Sequence, residues 1–247
     1  MRKVIKIAAL SLLGLTLSTA NADEAAIRQS MTQSMPTMKI DSVKQSEIKG
    51  LYEVIVGANI FYVSKDGKYL LQGHLIDVPA RKDLTQEKLN NTQEKLNNTR
   101  KLALEKMGQA KMIVFKPKIA KYTVSIFTDI DCHFCRELHS EMDQYLAQGI
   151  TIQYLFFPRA GKGSESYTKA ISVWCADDRN AALTAAKKDQ KVPTKTCDNP
   201  IDEHMQLAEE FKITGTPMIV SENGNIYEGY KSAKKLVEAL ENEKNPQ

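Results

Sequence analysis

The sequence is short of cysteine, of long apolar runs and of any strong excess of charge, and each shortage excludes a class of protein. Four cysteines among 247 residues are too few for a small scaffold held together by disulfides. Hydrophobic residues make up 42% and charged residues 26%, a globular balance that excludes a disordered or fibrous chain. A chain of this length can form one large domain or two small ones.

The longest apolar run lies at the N-terminus, where it has the pattern of a secretory signal peptide. Basic residues precede the apolar stretch Ile7–Leu17, and residues 20–22 (Ala-Asn-Ala) supply a cleavage site. The stretch is too short for the ~20 residues that span a bilayer. We therefore expect residues 1–22 to be removed, which leaves a soluble chain in a compartment that permits disulfides, such as a bacterial periplasm.

Cleavage at this point would leave the mature chain close to neutral. It removes the basic residues Arg2, Lys3 and Lys6 and no acidic residue, so the formal net charge falls from +4 to +1. A near-neutral chain has no electrostatic reason to bind nucleic acid, and we predict no such partner.

Residues 23–80 are predicted to form a small domain with one helix and an antiparallel meander. Asp66-Gly67 is typical of a tight hairpin turn within the meander. Such a short unit buries little surface alone, which favours pairing with a second copy; packing on its neighbouring domain is the alternative. The predicted elements are a helix at Glu24–Met35 and strands at Leu51–Val56, Ile60–Ser64, Tyr69–Leu71 and Leu75–Val78.

Residues 81–108 are predicted to form a polar linker helix. Within it the heptad Thr85–Asn91 is repeated as Thr92–Asn98. Seven residues are nearly two helical turns, so each copy adds ~10.5 Å of helix and keeps Leu89 and Leu96 on one face. The repeat either lengthens a spacer between two domains or is a neutral duplication in a tolerant linker.

Residues 109–247 have the order of a thioredoxin-like fold, which is strand, helix, strand, helical stretch, hairpin and final helix. Ser232 can cap the final helix. The predicted strands are Tyr122–Thr128, Ile150–Phe157, Met218–Val220 and Ile226–Tyr230, and the predicted helices are Cys132–Ala147, Tyr167–Lys188 and Ile201–Phe211.

Cys132-His133-Phe134-Cys135 lies between a predicted strand and a predicted helix, a context typical of a redox site. The helix start favours a thiolate, so we expect Cys132 to be exposed with a lowered pKa. Cys135 can reach Cys132 and resolve a mixed disulfide. Protonated His133 would stabilise the thiolate, unless it is simply exposed to solvent, and Phe134 would present an apolar edge to substrates.

The same cysteine pair could instead bind a metal ion, with His139 as a third ligand on the same helical face. No second C-x-x-C or histidine pair completes a tetrahedral set. We therefore predict no metal and no cofactor, and we expect His139 to be a packed or surface histidine.

Thr216-Pro217 opens a predicted strand. In a thioredoxin-like fold this proline would be cis and would face the C-x-x-C pair, where the backbone before it can bind an extended peptide. A trans proline in a turn is the alternative. We assign Thr216 and Pro217 to substrate binding.

Cys175 and Cys197 are the remaining pair if Cys132 and Cys135 form the other. Their disulfide would close a 23-residue loop across a helical insertion, worth about 3.4 kcal/mol of chain entropy. The apolar neighbours of Cys175 favour a buried structural link over a second redox pair.

Several segments resemble the periplasmic thiol-disulfide isomerases of the DsbC/DsbG type, with DsbC the nearer branch. They occur in order across essentially the whole mature chain. The matching segments are 67–68 (Gly-Lys), 72–73 (Gln-Gly), 127–130 (Phe-Thr-Asp-Ile), 154–159 (Tyr-Leu-Phe-Phe-Pro-Arg), 174–177 (Trp-Cys-Ala-Asp) and 215–217 (Gly-Thr-Pro).

The resemblance implies an α+β protein with a cystatin-like dimerisation domain, a linker helix and a thioredoxin-like domain, assembled as a V-shaped homodimer. It implies a protein disulfide isomerase and reductase that acts on misfolded periplasmic proteins and is kept reduced by a membrane reductase of the DsbD type. Chaperone activity commonly accompanies this architecture.

Two features depart from that family and keep other functions open. The pair His133-Phe134 replaces the Gly-Tyr typical of DsbC, and these residues tune the redox potential. The duplicated heptad would widen or reorient the cleft of the dimer. The alternatives are a dithiol oxidase on the same scaffold, a holdase, or a copper-binding thioredoxin-like protein.

Overall fold

A computed structural model describes residues 17–244, with side chains from residue 22 onward. The chain divides into two units between residues 94 and 95, and each unit has its own sheet and core. Most of the predicted signal peptide lies outside the described residues; only its last six residues are included, at the start of the first helix. Among the residues described, no helix is both long enough and apolar enough to cross a bilayer.

The first unit packs one helix on a four-stranded antiparallel sheet. Its elements are α1 (Leu17–Ser34), β1 (Ser42–Gln45), β2 (Leu51–Val56), β3 (Asn59–Ser64) and β4 (Leu70–Leu71). The strands lie side by side in chain order. Ile27 and Met31 are four residues apart on one face of α1, so both pack into a core with Tyr52, Val54 and Phe61.

The turn between β3 and β4 needs glycine at position 67 for two reasons. Gly67 has a φ of 70°, a left-handed conformation that side chains disfavour. It also lies against α1, where a Cβ would be 2.7 Å from the Cβ of Ser30. The Ser30 hydroxyl donates a hydrogen bond to the Gly67 carbonyl at 2.7 Å, which ties the helix to the hairpin.

The structure differs from the predictions for this unit in three details. Strand β1 was not predicted. The segment after β4 leaves the meander, because β5 (Ile76–Asp77) pairs with β6 (Lys82–Asp83) instead. The next helix, α2 (Leu84–Met107), therefore begins at residue 84 rather than at 81. The Asp83 carboxylate caps it by accepting a hydrogen bond from the Gln86 N–H at 2.8 Å.

The two copies of the heptad in α2 make different contacts although their sequences are identical. In the first copy, Lys88 Nζ lies 2.7 Å from a carboxylate oxygen of Glu53 and 3.0 Å from one of Glu47. In the second copy, Lys95 occupies the same position and is exposed. The Asn97 side-chain amide of the second copy instead donates a hydrogen bond to the Asn225 side chain at 2.5 Å. Lys88 and Lys95 thus occupy equivalent positions in the repeat but have different surroundings, so the same substitution can be compared at the two sites.

Replacing Lys88 by Met is expected to destabilise the first unit. The Glu53 side chain is only 6% exposed, so loss of its cationic partner leaves a buried carboxylate unpaired, at a cost of about 2 kcal/mol. Urea unfolding followed by circular dichroism should show a lower midpoint for Lys88→Met and no change for Lys95→Met. Equal midpoints for the two variants would contradict this assignment.

The second unit has a five-stranded sheet in the order β11-β10-β8-β9-β7, in which only β8 and β9 run parallel. Its strands are β7 (Ile113–Phe115), β8 (Tyr122–Thr128), β9 (Ile150–Phe156), β10 (Met218–Ser221) and β11 (Ile226–Glu228). Its helices are α3 (His133–Ser140), α4 (Met142–Ala147), α5 (Glu165–Trp174), α6 (Arg179–Lys187), α7 (Ile201–Glu210) and α8 (Ala233–Lys244).

Two predicted helices of this unit are each divided in the structure, and β7 was not predicted. The helix predicted from Cys132 to Ala147 breaks at Glu141, whose ψ of 16° departs from helical geometry. The helix predicted over Tyr167–Lys188 ends at residue 174 and restarts at 179. Asp178 begins the second part by accepting a hydrogen bond from the Ala181 N–H.

The central strand β8 directs its C-terminal end toward the C-x-x-C pair. Both faces of the strand are buried: Val124 and Ile126 pack into one core and Phe127 into the other. Strand β10 runs antiparallel beside it, with Met218 opposite Phe127. The segment before β10 and the segment after β8 therefore meet at one edge of the sheet, where the cysteines lie.

Candidate active site

Cys132 lies at the point where the chain enters α3. Its backbone is extended (φ −82°, ψ 124°), so it caps the helix and His133 is the first helical residue. The Cys132 carbonyl accepts a hydrogen bond from the Arg136 N–H at 3.0 Å. The unpaired N–H groups and the dipole at a helix start favour negative charge at this position.

The structure corrects the expectation that Cys132 is exposed, because only 3% of the residue is accessible. Its Sγ lies 3.2 Å from the Thr216 carbonyl oxygen. A hydrogen bond from the Cys135 side chain is the main cause that lowers the pKa of Cys132, to about 5. A hydrogen bond from the Thr216 side chain, the Cys135 backbone N–H and the charge of Arg159 act in the same direction, while burial opposes them.

Cys135 lies one turn further along α3 and has the opposite acidity. It is 1% exposed, and burial followed by its hydrogen bond to Cys132 raises its pKa well above the ordinary value. Both thiols are free in the structure. At neutral pH Cys132 is therefore a thiolate that accepts a hydrogen bond from the protonated thiol of Cys135.

Alkylation of the reduced protein by iodoacetamide is expected to follow the ionisation of Cys132. The thiolate is the reactive species, so the rate should rise with pH through about 5 and level off below neutrality, rather than rise through 9. Mass spectrometry should place the modification on Cys132. The Cys132→Ser variant should react far more slowly, since the raised pKa of Cys135 leaves that thiol protonated. A wild-type inflection above pH 8 would contradict the geometry.

The two residues between the cysteines lie at the surface. Phe134 is 55% exposed, and its ring centroid is 5.4 Å from that of exposed His133. Phe134 thus presents apolar surface beside the thiols. The effect of this pair on the redox potential stays a prediction.

Thr216-Pro217 faces the cysteines from the start of β10. The peptide bond between the two residues is cis. The Thr216 carbonyl is the oxygen nearest to Cys132 Sγ, at 3.2 Å. The Thr216 hydroxyl is buried, and its interaction with Cys132 lowers the pKa of that thiol. This segment therefore places one carbonyl and one hydroxyl group beside the Cys132 sulfur.

Sequence reasoning missed a buried carboxylate just before the C-x-x-C pair. Asp129 is 3% exposed and accepts hydrogen bonds from the Arg159 N–H and Nε, both at 3.0 Å, and from the Ser166 hydroxyl. Burial alone would raise the pKa of Asp129, but these hydrogen bonds lower it. The only sequence signal was an acidic residue directly after an apolar strand. Asp129 anchors the loop that carries Cys132.

Cys175 and Cys197 form a disulfide between the end of α5 and the segment before α7 (S–S 2.01 Å, Cα–Cα 5.7 Å). Their burial differs from the expectation, because Cys175 is half-buried and Cys197 is exposed. The adjacent Trp174 is buried, and the Arg179 guanidinium lies 3.8 Å above its ring. The link encloses α6.

His139 is packed inside the second unit. Its ring nitrogens lie 3.2 Å from the Tyr154 hydroxyl and 3.0 Å from the Thr184 hydroxyl. Burial lowers the pKa of His139 to about 4, and the charge of Lys187 adds to this effect. In the part of the chain with described side chains, no three residues of the His, Cys, Asp and Glu types converge as a metal site would require.

Two thiols of opposite acidity, one turn apart at a helix start, suit exchange with a disulfide. The second unit thus defines a thioredoxin-like thiol-disulfide oxidoreductase. Comparison with known families agrees. Residues 18–86 match the disulfide bond isomerase protein N-terminal domain, and residues 108–244 match the thioredoxin-like domain.

Individual relatives lead to the same family, and two of them match nearly the whole chain. The thiol:disulfide interchange protein DsbC of Dickeya dadantii is 37% identical, covering 94% of this chain and 92% of the relative. The protein of that name from Escherichia coli K12 is 33% identical, covering 90% and 89%. A disulfide interchange protein of Neisseria gonorrhoeae is 33% identical, with a TM-score of 0.50 over 57% of this chain and 99% of that structure. The chain belongs to the DsbC family of thiol:disulfide interchange proteins.

Proposed function

We propose that the chain is a periplasmic disulfide isomerase and reductase that corrects non-native disulfides in secreted proteins. The observation that carries the proposal is the contrast between the two thiols. At neutral pH the Cys132 thiol is ionised and can attack a substrate disulfide, whereas the Cys135 thiol is protonated and reacts only in a later step. A long-lived mixed disulfide gives a substrate time to rearrange.

The proposed reaction begins when the Cys132 thiolate attacks a substrate disulfide. A bond forms between Cys132 and one substrate sulfur, the substrate disulfide breaks, and the other sulfur leaves as a thiolate. If a different substrate thiolate then attacks the mixed disulfide, a new substrate disulfide forms and Cys132 is released as a thiolate, with no net transfer of electrons. If Cys135 attacks instead, the substrate leaves with two thiols and the chain becomes oxidised.

The second route requires an electron donor, because the oxidised pair must be reduced before the next cycle. A membrane reductase of the DsbD type is the proposed partner. Its thiols would attack the Cys132–Cys135 disulfide and leave both cysteines reduced. The periplasm is the proposed compartment, since disulfides form there and substrates are at hand.

The proposed substrate site lies between Phe134 and the Thr216-Pro217 segment. The exposed ring of Phe134 offers apolar contact to an unfolded chain. The Thr216 carbonyl lies beside Cys132 Sγ and can accept a hydrogen bond from the backbone of a bound peptide. An extended segment placed there has its disulfide next to Cys132 Sγ.

We further propose that the first unit joins two copies of the chain. Strand β4 is an edge strand, and apolar side chains on it and on either side of it in the chain are exposed. The most exposed are Tyr69 (71%), Leu71 (56%), Ile76 (54%) and Val78 (76%). We propose residues 23–80 as the dimerisation domain, a linker helix up to residue 108, and residues 109–247 as the catalytic domain. Sedimentation as a monomer at micromolar concentration would contradict the pairing.

A dithiol oxidase is the second candidate, and the low pKa of Cys132 favours it. A stabilised thiolate makes the reduced form more stable, and the disulfide of such a pair is a stronger oxidant. An oxidase would rest as the Cys132–Cys135 disulfide and transfer it to substrates, whereas an isomerase must rest reduced.

The two candidates separate in one experiment with ribonuclease. Catalytic amounts of the reduced mature chain should reactivate scrambled ribonuclease, and Cys132→Ser should not. If the wild type fails to do so, yet its oxidised form rapidly oxidises reduced ribonuclease, the isomerase proposal is wrong and the oxidase is supported. Chaperone activity is tested separately, because Cys132→Ser would still suppress aggregation of a cysteine-free substrate.

A further inference from the structure

A lysine lies buried beneath the C-x-x-C pair, where the proposed reaction leaves it without a role. Lys187, the last residue of α6, is only 4% exposed. Its Nζ donates hydrogen bonds to the Thr128 hydroxyl at 2.8 Å and to the Asp129 carbonyl at 2.7 Å. Neither acceptor is a carboxylate oxygen. Burying an ammonium group on neutral oxygens alone is costly, so its position calls for a function.

Thr128 connects this ammonium group to Cys135. Thr128 is the last residue of β8 and is fully buried. Its hydroxyl accepts a hydrogen bond from Lys187, and its interaction with Cys135 lowers the pKa of that thiol. A hydroxyl that accepts from an ammonium group has its own hydrogen free for a sulfur anion. Lys187 can thus donate to Thr128 while Thr128 donates to sulfur, and this direction suits a thiolate at Cys135.

The charge of Lys187 also acts directly on the cysteines. Burial raises the pKa of Cys135, and the positive charge of Lys187 opposes that rise. Burial in turn lowers the pKa of Lys187 to about 8, so the group stays mostly charged at neutral pH. The other groups facing it are Asp129 and Cys132, which favour its charged form, Arg136, which disfavours it, and His139, which is kept neutral.

We propose that Lys187 is a positioning residue which, through Thr128, stabilises the Cys135 thiolate and so sets how long the mixed disulfide lasts. In the step concerned, Cys135 attacks the Cys132 sulfur, the Cys132–Cys135 bond forms, and the bond from Cys132 to the substrate breaks. The proton of Cys135 ends on the departing substrate thiol. Over this step and the formation of the mixed disulfide together, the chain loses two electrons and the substrate gains two. Lys187 thus divides the reaction between reduction and isomerisation, an inference that rests on the proposed function.

The test follows the decay of a mixed disulfide between Cys132 and glutathione. Lys187→Met keeps the length and removes the charge, and Lys188→Met is the control because the neighbouring lysine is exposed. Each unit of rise in the pKa of Cys135 should slow glutathione release about 3- to 4-fold, since part of the lost ionisation is offset by higher nucleophilicity. The pH profile of release should move to higher pH in Lys187→Met and stay in place in Lys188→Met.

Thr128→Val provides a second variant that keeps Lys187 and removes the connecting hydroxyl, and slower release is expected there as well. Circular dichroism and the unfolding midpoint establish that each variant is folded. Release rates and pH profiles equal to wild type in both Lys187→Met and Thr128→Val would overturn the proposal, as would an equal slowing in Lys188→Met. Glutathione release needs no isomerase activity. A failed ribonuclease assay would therefore contradict the proposed function and leave this result unaffected.

Discussion

Serine at Cys132 and serine at Cys135 are expected to disable the protein in opposite ways. Cys132→Ser should form no covalent complex with scrambled ribonuclease, because the remaining thiol is 1% exposed and its pKa is raised. Cys135→Ser should form the complex and retain it longer than the wild type does, because only a thiol of the substrate, and none of the chain, can then displace Cys132. Non-reducing electrophoresis after acid quenching should show the adduct in the second variant and not in the first.

The pH dependence of adduct formation provides a control within the same pair of variants. Loss of Cys135 also removes the main hydrogen bond that lowers the pKa of Cys132, so the adduct should form more slowly at pH 6 than at pH 8. A persistent adduct in Cys132→Ser would mean that Cys135 is the attacking thiol, which would reverse the assignment. Rapid loss of the adduct in Cys135→Ser, without added thiol, would show that substrates resolve it themselves.

Removal of the Cys175–Cys197 disulfide is expected to lower the free energy of unfolding by about 3 kcal/mol. The link closes a loop with a sequence separation of 22, and opening it restores entropy to the unfolded chain. Against a typical total of about 5–15 kcal/mol, the Cys175→Ala/Cys197→Ala variant should still fold. Guanidinium unfolding should show a lower midpoint, and both proteins should carry Cys132→Ser to exclude thiol exchange.

The enclosed helix makes this variant informative about function as well. The loop contains α6, whose last residue is Lys187, so the position of the buried ammonium group depends on the link. We expect a modest slowing of glutathione release when the link is removed in a chain with both active-site cysteines. An unchanged unfolding midpoint would mean that the disulfide is not a structural link and would favour a redox role.

Local patterns in the sequence determined the secondary-structure elements of this protein and the cysteine chemistry of its site. The strands predicted at Leu51–Val56 and Tyr122–Thr128 have the same bounds in the structure, because alternation and continuous apolar runs report burial directly. The C-x-x-C pair follows a strand and begins a helix as predicted, and the Asp66-Gly67 turn connects two strands. Each of these signals lies within about ten neighbouring residues.

The tertiary structure alone decided the environment of the thiols. Cys132 is buried because the Thr216-Pro217 segment, more than 80 residues away in the chain, covers it. Lys187 meets Thr128 across 59 residues of sequence, and no periodic pattern predicts that a lysine at a helix end will turn inward. Hydrogen bonding and desolvation act over a few ångströms in space, whatever the distance along the chain, so the acidity of each cysteine depends on which elements the fold brings together.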